Sequence, residues 1–484
     1  MSLSLFAAAH EAPQVEALVC DGLRLTFSEL AARVRARSAQ LAALGVRALD
    51  VRPLALVVDG SLAMFECLYA CLELGVPLLP LHPRLTPPER AYLIELSAAR
   101  CILDPRELAP SAEPAVSAQE LPRIPDDHPL VFVPSSGSTG RPKLVELSRR
   151  AFLALCRADT ERVPPEFDDR ALLCLPLSHV GGLSVVIRAL AARRTCVAFR
   201  AGSGGLLGAV PELARSLVAE RITLLSLVPA LLARLLRDAP EFAMRAPLRA
   251  ILLGGQACSA ELFAEARERG LPVLTSYGLT EMCSQVSTLA FPPPAVPPLR
   301  RGVVGVGFPL PGVEVRVVGG LIEVRGPTLF SGYVGQATAL DSDGFFNTGD
   351  RGELDPELGL FVFGRESELI ISGGENVDPS EVEHALLACD AIEAAMVFGV
   401  PDPTFGEQVA AAIELRPNVS WDERALFAEL SQRIASFKQP RALCRFETLP
   451  RLASGKLDRA QIRARALELD ALQAVTRAPQ PGKA

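Results

Sequence analysis

The stretch VFVPSSGSTGRPK, Val131 to Lys143, decides how the rest of the chain is interpreted. An apolar run, Leu130 to Val133, ends in six residues that are all Ser, Gly or Thr, and Lys143 follows shortly after. Glycine permits backbone conformations that group N–H donors into a concave surface, hydroxyls add donors, and lysine adds a positive charge. The loop is therefore predicted to bind phosphate groups, through Ser135, Ser136, Gly137, Ser138, Thr139, Gly140 and Lys143.

A flexible linker is the alternative reading of this loop, because Ser/Gly-rich segments are most often linkers. Against it, the loop follows an apolar strand and precedes Ser148, which is placed as the N-cap of a helix beginning near Arg149. The order strand, glycine loop, helix is typical of phosphate sites. In the Walker pattern a lysine follows the second glycine directly, and here it does not, so an ordinary P-loop NTPase is disfavoured.

Composition indicates a globular protein of more than one domain. The chain has 484 residues, 49% apolar and 22% charged, with a formal net charge of −7. The negative charge argues against nucleic acid as the main partner. Its 11 cysteines and 5 histidines form no CxxC or Cys/His cluster, which indicates free thiols in a reducing cytoplasm. The N-terminus lacks signal-peptide features, and the most apolar window, Ala171 to Ala192, contains His179 and Arg188, so no stable membrane association is expected.

Helix and strand patterns alternate from Leu25 to Asp104 and again from the central loop to about Tyr277. Alternation of this kind predicts a large sheet of parallel strands with helices on both faces. Ligands of such sheets bind at the carboxyl ends of the strands. Three loops are predicted there: SSGSTG, LLGGQA at Leu252 to Ala257, and SYGLTE at Ser276 to Glu281.

The pattern changes beyond Pro292. Val313 to Val317 and Leu321 to Arg325 alternate around two glycines, which predicts a hairpin. From Arg365 onwards a smaller α+β unit is predicted, with a helix at Pro379 to Leu387. The last residues, Arg477 to Ala484, are expected to be disordered.

Five motifs occur in one order along the chain: SSGSTGRPK, SYGLTE, NTGD, GRESELIISGGEN and LASGK. Together they resemble the adenylate-forming superfamily of acyl-CoA synthetases, adenylation domains and luciferases, over nearly the whole chain. LPLSHVGGLSVVIRAL and SYGLTEMCSQVSTL look most like the o-succinylbenzoate–CoA ligases of menaquinone biosynthesis. The resemblance implies an α/β protein: a large N-terminal domain, residues 1–365, with helix-flanked sheets and a β-rich subdomain, and a small mobile C-terminal α+β domain, residues 366–484.

The activity that this resemblance implies has two steps. A carboxylate attacks the α-phosphate of ATP to give an acyl-adenylate, and the thiol of CoA then displaces AMP. Glu281 would hold Mg²⁺, since carboxylate oxygen is the ligand that this ion prefers, and Thr280 would hydrogen-bond the α-phosphate. The remaining nucleotide-binding residues would be Tyr277, stacked on adenine, Gly278 beside it, and Asp350 and Arg365 on the ribose.

The resemblance also assigns roles in the C-terminal domain. Lys456 would be carried into the site to bridge the carboxylate and the α-phosphate, and then removed for thioester formation. Ser367 would be the hinge, although relatives commonly have Asp or Lys there. Gly373 and Gly374 would line the path of the pantetheine arm of CoA.

Substrate binding is assigned to His179, Gly254, Gly255 and Arg188. Gly181 and Gly182 favour an open loop after His179, which is also counted with the catalytic residues. Arg188 lies in an apolar, helix-like stretch, where a buried cation needs an anion. It either pairs with an internal acid or receives a second carboxylate of the substrate.

Several functions are compatible with the sequence. The acid could be another aromatic or fatty acid, or the enzyme could load a carrier protein. Against the second, amino-acid activators usually have an Asp where His179 lies. From a different class, the chain could be a catalytically silent nucleotide-binding protein. The oligomeric state is open, a homodimer included.

Overall fold

The computed structural model describes residues 1–108, 122–135, 142–201, 205–337, 340–372, 375–402, 406–417, 419–452, 455–468 and 473–474. These residues form a mixed α/β structure in which helices flank several sheets, and the predicted fold class is confirmed. The predicted disorder of Arg477 to Ala484 falls outside the described residues. In the described part of the chain, no helix is both long enough and apolar enough to cross a bilayer.

The helices and strands follow one another along the whole described chain. The α-helices are α1 Leu5–Glu11, α2 Phe27–Ala43, α3 Leu62–Leu74, α4 Pro87–Ser97, α5 Arg149–Arg162, α6 Val180–Ala192, α7 Gly205–Gly208, α8 Val210–Ala219, α9 Pro229–Asp238, α10 Phe242–Arg245, α11 Ala260–Glu268, α12 Pro379–Leu387, α13 Glu423–Arg433 and α14 Arg459–Glu468. The strands are β1 Glu16–Cys20, β2 Leu23–Thr26, β3 Leu54–Val57, β4 Leu78–Leu81, β5 Ile102–Leu103, β6 Pro129–Ser135, β7 Lys143–Ser148, β8 Arg170–Leu173, β9 Thr195–Ala198, β10 Leu224–Leu227, β11 Ala250–Leu253, β12 Val273–Tyr277, β13 Ser287–Thr288, β14 Leu299–Arg300, β15 Val303–Val304, β16 Phe308–Pro309, β17 Glu314–Val318, β18 Leu321–Arg325, β19 Gly332–Tyr333, β20 Phe346–Asp355, β21 Gly359–Arg365, β22 Ile370–Ser372, β23 Glu375–Val377, β24 Ile392–Asp402, β25 Gly406–Leu415, β26 Ala442–Phe446 and β27 Gln473–Ala474.

Two sheets, rather than the single large sheet that was expected, form the N-terminal part. A nine-stranded sheet has the order β16-β13-β12-β11-β10-β8-β9-β1-β2, and a six-stranded sheet has the order β19-β7-β6-β4-β3-β5. The central strands of both are parallel. The division into two sheets could not be predicted from the sequence, because the strands of both sheets alternate with helices in the same way.

The central loop connects two antiparallel strands. Ser135 at the end of β6 is paired with Lys143 at the start of β7, and only after β7 does α5 begin, capped by Ser148. The predicted order of strand, loop and helix is therefore wrong in one respect: a six-residue strand lies between the loop and the helix. The helix start itself is confirmed.

A four-stranded antiparallel sheet follows, in the order β17-β18-β20-β21. Its first hairpin turns at Gly319 and Gly320, both with positive φ, as the sequence predicted. Strands β20 and β21 place Asp350 directly opposite Arg365. Two separate motifs thus meet at one point of the ladder.

The C-terminal part has a sheet of its own, β23-β22-β25-β26-β27, with β24 paired to β25. Its two apolar cores consist of residues from Ile370 onwards: α12 and α13 pack on one face and α14 on the other. The predicted helix at Pro379 to Leu387 is confirmed. The division into residues 1–365 and 366–484 stays a prediction.

Candidate active site

The turn that carries Lys456 packs against the residues that follow β10 and β11, Val228 and Gly255, and the space that these segments border is here called the cleft. Gly255 follows β11 with φ of +80°, and a Cβ atom there would lie 2.9 Å from Cε and 3.2 Å from Nζ of Lys456. The neighbouring Gly455 lies against Val228, at the end of β10, with 3.3 Å from its ideal Cβ position to Cγ2. The C-terminal part therefore places its lysine directly against the edge of the large sheet.

The Lys456 ammonium has no neutralising partner among the residues that the structure describes: none of their side chains forms an ion pair or hydrogen bond with Nζ. Burial lowers the pKa of Lys456, and the charge of Arg365 lowers it further. Two cations facing one cleft favour an anionic ligand, because an unpaired charge in such a place is costly.

Tyr277, Asp350 and Arg365 form one hydrogen-bonded group. The Tyr277 hydroxyl donates to Asp350 Oδ2 over 2.6 Å, and Arg365 Nε lies 2.9 Å from Asp350 Oδ1. Burial raises the pKa of the Asp350 carboxyl, while Arg365 and the Tyr277 hydroxyl oppose that rise. Both carboxylate oxygens are thus engaged within the protein, and each keeps a lone pair with which it can accept another donor.

The turn after Tyr277 depends on glycine. A Cβ atom on Gly278 would lie 1.5 Å from the carbonyl oxygen of Ser284, so no other residue fits without moving the backbone. Thr280 and Glu281 follow in a short 3₁₀ helix, Thr280–Met282. Gly278 therefore has a structural role here, whatever it contributes to nucleotide binding.

Glu281 is held by Tyr333, a residue that sequence reasoning missed. The Tyr333 hydroxyl donates to Glu281 Oε1 over 2.8 Å, and Lys143 Nζ lies 4.7 Å from the centre of the Tyr333 ring. The described residues contain no group of three or more His, Cys, Asp or Glu side chains that could cage a metal. A single carboxylate fits Mg²⁺, which proteins often bind through one carboxylate together with substrate phosphates.

His179 is exposed to the cleft at the N-terminus of α6, where it is the N-cap residue. Loss of solvation by the surrounding protein lowers the pKa of His179 to about 4, and the charges of Lys456 and His82 lower it as well. The imidazole is therefore neutral at pH 7. His82, at the end of β4, was also missed; its Nδ1 accepts a hydrogen bond from the backbone N–H of Arg84 over 3.1 Å. Burial and the charge of Arg84 lower the pKa of His82 as well, so neither ring carries a positive charge that would compete with Lys456 for an anion.

The open loop expected after His179 is wrong. Gly181 and Gly182 lie in the first turn of α6, and a Cβ atom on Gly182 would be 2.4 Å from the carbonyl oxygen of Pro176. The glycine therefore allows the helix to pack closely on the preceding turn. Gly254, the residue after β11, has its ideal Cβ position 3.2 Å from the carbonyl oxygen of Ser276.

Arg188 pairs with an internal acid. Its Nη1 donates to Asp159 Oδ1 over 2.7 Å, Nη2 donates to the Ser226 hydroxyl over 3.3 Å, and Nε donates to the Ser184 carbonyl oxygen. Of the two partners that the sequence left open, the acid is the one observed. A guanidinium has five N–H donors, so a second anion can still be bound.

Some predicted site residues cannot be placed. Ser136, Gly137, Ser138, Thr139, Gly140, Gly373 and Gly374 lie outside the described residues. Ser367 lies in a 3₁₀ helix, Glu366–Glu368, directly after β21, and its side chain is not described. The hinge and CoA assignments therefore stay predictions.

Two ion pairs and one close backbone approach also join the C-terminal part to the rest. Arg237 of α9 forms an ion pair with Glu393 of β24, and Arg351 lies 3.7 Å from Asp378. A Cβ atom on Gly364 would lie 2.6 Å from the Ser380 hydroxyl. Partly exposed ion pairs of this kind are typically worth less than about 1 kcal/mol each.

Comparison with known proteins identifies the class. The AMP-binding enzyme model matches residues 5–334, and the model of the AMP-binding enzyme C-terminal domain matches residues 381–456. The chain belongs to the family of AMP-binding enzymes, as its motifs predicted.

The chain is similar over nearly its whole length to individual members of this family. A 2-succinylbenzoate–CoA ligase of Bacillus licheniformis is 32% identical, covering 94% of this chain and 98% of the relative. The o-succinylbenzoate CoA synthetase of Bacillus subtilis in complex with the acyl-adenylate intermediate OSB-AMP has a TM-score of 0.82 and 30% identity, covering 95% of this chain and 97% of that one. The same synthetase in complex with ATP and magnesium ion has a TM-score of 0.82 and 31% identity, with 95% and 98% covered.

Proposed function

We propose that this chain is an ATP-dependent acid–CoA ligase that acts through an acyl-adenylate, with 2-succinylbenzoate as the acid. The observation that carries the proposal is the position of Lys456 at Gly255, inside a cleft that also holds Arg365 and His179. A carboxylate and a phosphate repel each other, so a reaction between them needs a cation at the point of attack. Two relatives that are named 2-succinylbenzoate–CoA ligase, and that match 94% and 95% of this chain, support the choice of acid.

The nucleotide would be held along the carboxyl ends of the strands. Lys143 and Ser135, which flank the serine-rich loop, lie at the end of the β6–β7 ladder, where the triphosphate would bind. Asp350, set by Tyr277 and Arg365, would accept the ribose hydroxyls. Tyr277 would offer its ring to adenine, since its hydroxyl is already bound.

Glu281 would hold Mg²⁺, and the ion would supply positive charge to the phosphate oxygens. Thr280, adjacent to Glu281 in the same 3₁₀ helix, would donate its hydroxyl to the α-phosphate. Lys456 would bind the substrate carboxylate and an α-phosphate oxygen together, which orients the attacking oxygen and offsets the charge that develops at phosphorus. The neutral His179 would border the acyl group without drawing the carboxylate away from Lys456.

Thioester formation would require the C-terminal domain, residues 366–484, to leave this orientation. Lys456 occupies the cleft beside Gly255, where it would contact the acyl group. The thiol of CoA must reach the carbonyl carbon of the acyl-adenylate at the same place. Ser367 follows the last strand of the N-terminal domain and would be the pivot. Gly373 and Gly374 would then border the pantetheine arm.

The second carboxylate of 2-succinylbenzoate would be recognised by a cation in the acyl pocket, and Arg188 is our candidate. Its position on α6, nine residues after His179, places it further along the same helix that borders the cleft. Asp159 would fix its orientation and leave donors for the substrate. A simple aromatic or fatty acid would leave those donors unpaired, which disfavours it.

The test is acid-dependent thioester formation with CoA, compared between 2-succinylbenzoate, benzoate and medium-chain fatty acids. We expect 2-succinylbenzoate to give the highest kcat/KM. A higher value for a monocarboxylic acid would assign the chain to another acid. Transfer to a carrier protein but not to CoA would identify a loading enzyme, and no acid-dependent release of pyrophosphate would leave a silent nucleotide-binding protein.

The proposed partners are small molecules: the acid, ATP and CoA. The proposed location is the cytoplasm, which the free state of all 11 cysteines supports. Nucleic acid is not an expected partner, and sedimentation of the protein would distinguish a monomer from a homodimer.

A further inference from the structure

Tyr333 contacts the two charged side chains that are assigned to the phosphate end of the cleft. Its hydroxyl donates to Glu281 Oε1 over 2.8 Å, and its ring faces Lys143 Nζ at 4.7 Å from the ring centre. One side chain thus touches an anion at its tip and a cation at its face. Both contacts suit phenol chemistry, because the hydroxyl is a donor and the ring face carries negative charge density.

The Tyr333 ring is fixed in place from several sides. Strand β19 pairs with β7, so that Tyr333 lies opposite Val145, two residues from Lys143. Phe330 packs edge-on against the Tyr333 ring at 4.9 Å between centroids. The backbone N–H of Phe330 donates to the carbonyl oxygen of Glu281 over 2.8 Å. The segment that carries the tyrosine therefore also fixes the backbone of the acid.

The Tyr333 hydroxyl is the donor of its hydrogen bond to Glu281, because an ionised carboxylate has no proton and can only accept. With one oxygen of Glu281 bound to that hydroxyl, the other oxygen is directed away from it. A carboxylate that donors hold in one rotamer loses less side-chain entropy when it binds an ion.

We propose that Tyr333 is a positioning residue that orients Glu281 for Mg²⁺ and Lys143 for phosphate, so that metal and nucleotide are bound together. This rests on the proposed function, in which both side chains act on Mg²⁺ and ATP. The tyrosine itself touches neither. Its hydroxyl orients Glu281, the proposed metal ligand, and its ring orients Lys143. The two contributions can be separated by substitution.

Tyr333→Phe removes the hydroxyl and keeps the ring. We expect the Mg²⁺ concentration for half-maximal pyrophosphate exchange to rise by about tenfold, as expected for the loss of a hydrogen bond to a charged group. The KM for the acid should stay unchanged. Calorimetry gives a readout independent of turnover: Tyr333→Phe should reduce the gain in ATP affinity that Mg²⁺ produces, while ATP affinity in EDTA matches that of the wild type.

Tyr333→Leu removes both the hydroxyl and the ring. Unlike Tyr333→Phe, it should weaken ATP binding in EDTA by about two- to fivefold, the effect expected for the loss of an exposed cation–π contact. Tyr92→Phe is the matched control: it also removes a tyrosine hydroxyl near this loop, but its partner is the backbone oxygen of Pro142, and the Mg²⁺ response should not change. Thermal unfolding of each variant checks the fold.

The inference is overturned if Tyr333→Phe leaves both the Mg²⁺ half-saturation and the calorimetric gain from Mg²⁺ at wild-type values. It is also overturned if metal, ATP and acid are all weakened equally, because a general loss of structure explains that result. An absence of acid-dependent exchange in the wild type would refute the proposed function instead, and the calorimetric arm would still report on Tyr333.

Discussion

Gly255→Ala should impair the function of Lys456 although the lysine itself is unchanged. A Cβ atom at position 255 would lie 2.9 Å from Lys456 Cε, whereas ordinary contact begins near 3.4 Å, so the end of the side chain must retreat by about half an ångström. That retreat costs little stability because the end of a lysine is flexible. It is costly for catalysis, since small misplacements of a catalytic group reduce rates steeply, and we expect about a tenfold slower ATP–pyrophosphate exchange.

The control for Gly255→Ala is Gly270→Ala. Gly270 has φ of +78°, nearly the same as the +80° of Gly255, and no atom lies within 4 Å of its ideal Cβ position. Both variants should therefore lose a similar 1–2 kcal/mol, or about the cost of a left-handed L-residue, and only Gly255→Ala should lose exchange activity. Thioester formation from supplied acyl-adenylate should fall less than exchange in Gly255→Ala. Equal loss in both half-reactions would refute the explanation through Lys456.

Three further predictions concern charged residues. Lys456→Ala should abolish pyrophosphate exchange and largely spare thioester formation from supplied acyl-adenylate; equal loss of both would remove the assigned role. Because the pKa of Lys456 is lowered, exchange should decline at a pH below the roughly 10.4 of a free lysine, and an enzyme that stays fully active to that pH contradicts this. The unfolded chain binds more protons in that window, so the contribution of Lys456 to stability should rise with pH. Arg188→Ala should raise the KM for 2-succinylbenzoate about tenfold or more with the KM for ATP unchanged, and Asp159→Asn with Arg188 intact provides the comparison.

Much of the fold could be predicted because local signals agree with the final structure. Ser148 caps α5, as its position before Arg149 predicted, and the hairpin of β17 and β18 turns at Gly319 and Gly320, as the alternating pattern predicted. Such signals depend on a few neighbouring residues and survive in the tertiary structure. The two-sheet arrangement was missed because strand order depends on long-range pairing, on which hydrophobic patterns carry no information.

The candidate site was predictable where a motif supplied a whole local structure, and not where one side chain completes it from elsewhere. Asp350 and Arg365 were singled out by their motifs, and the β20–β21 ladder joins them. Tyr333 and His82 lie in ordinary strand-end contexts, and their partners are distant in sequence. The glycines after His179 were misread because a glycine that permits close packing within a helix has the same letter as one that opens a loop.

The position of Lys456 in the nucleotide cleft is tested most directly by omitting CoA and looking for the intermediate. The protein is incubated with ATP, Mg²⁺ and 2-succinylbenzoate, and the products are analysed by mass spectrometry. We expect the mass of the acyl-adenylate together with pyrophosphate, and neither product from Lys456→Ala. Formation of ADP and orthophosphate, or an acyl-adenylate made equally well by Lys456→Ala, would contradict the assignment.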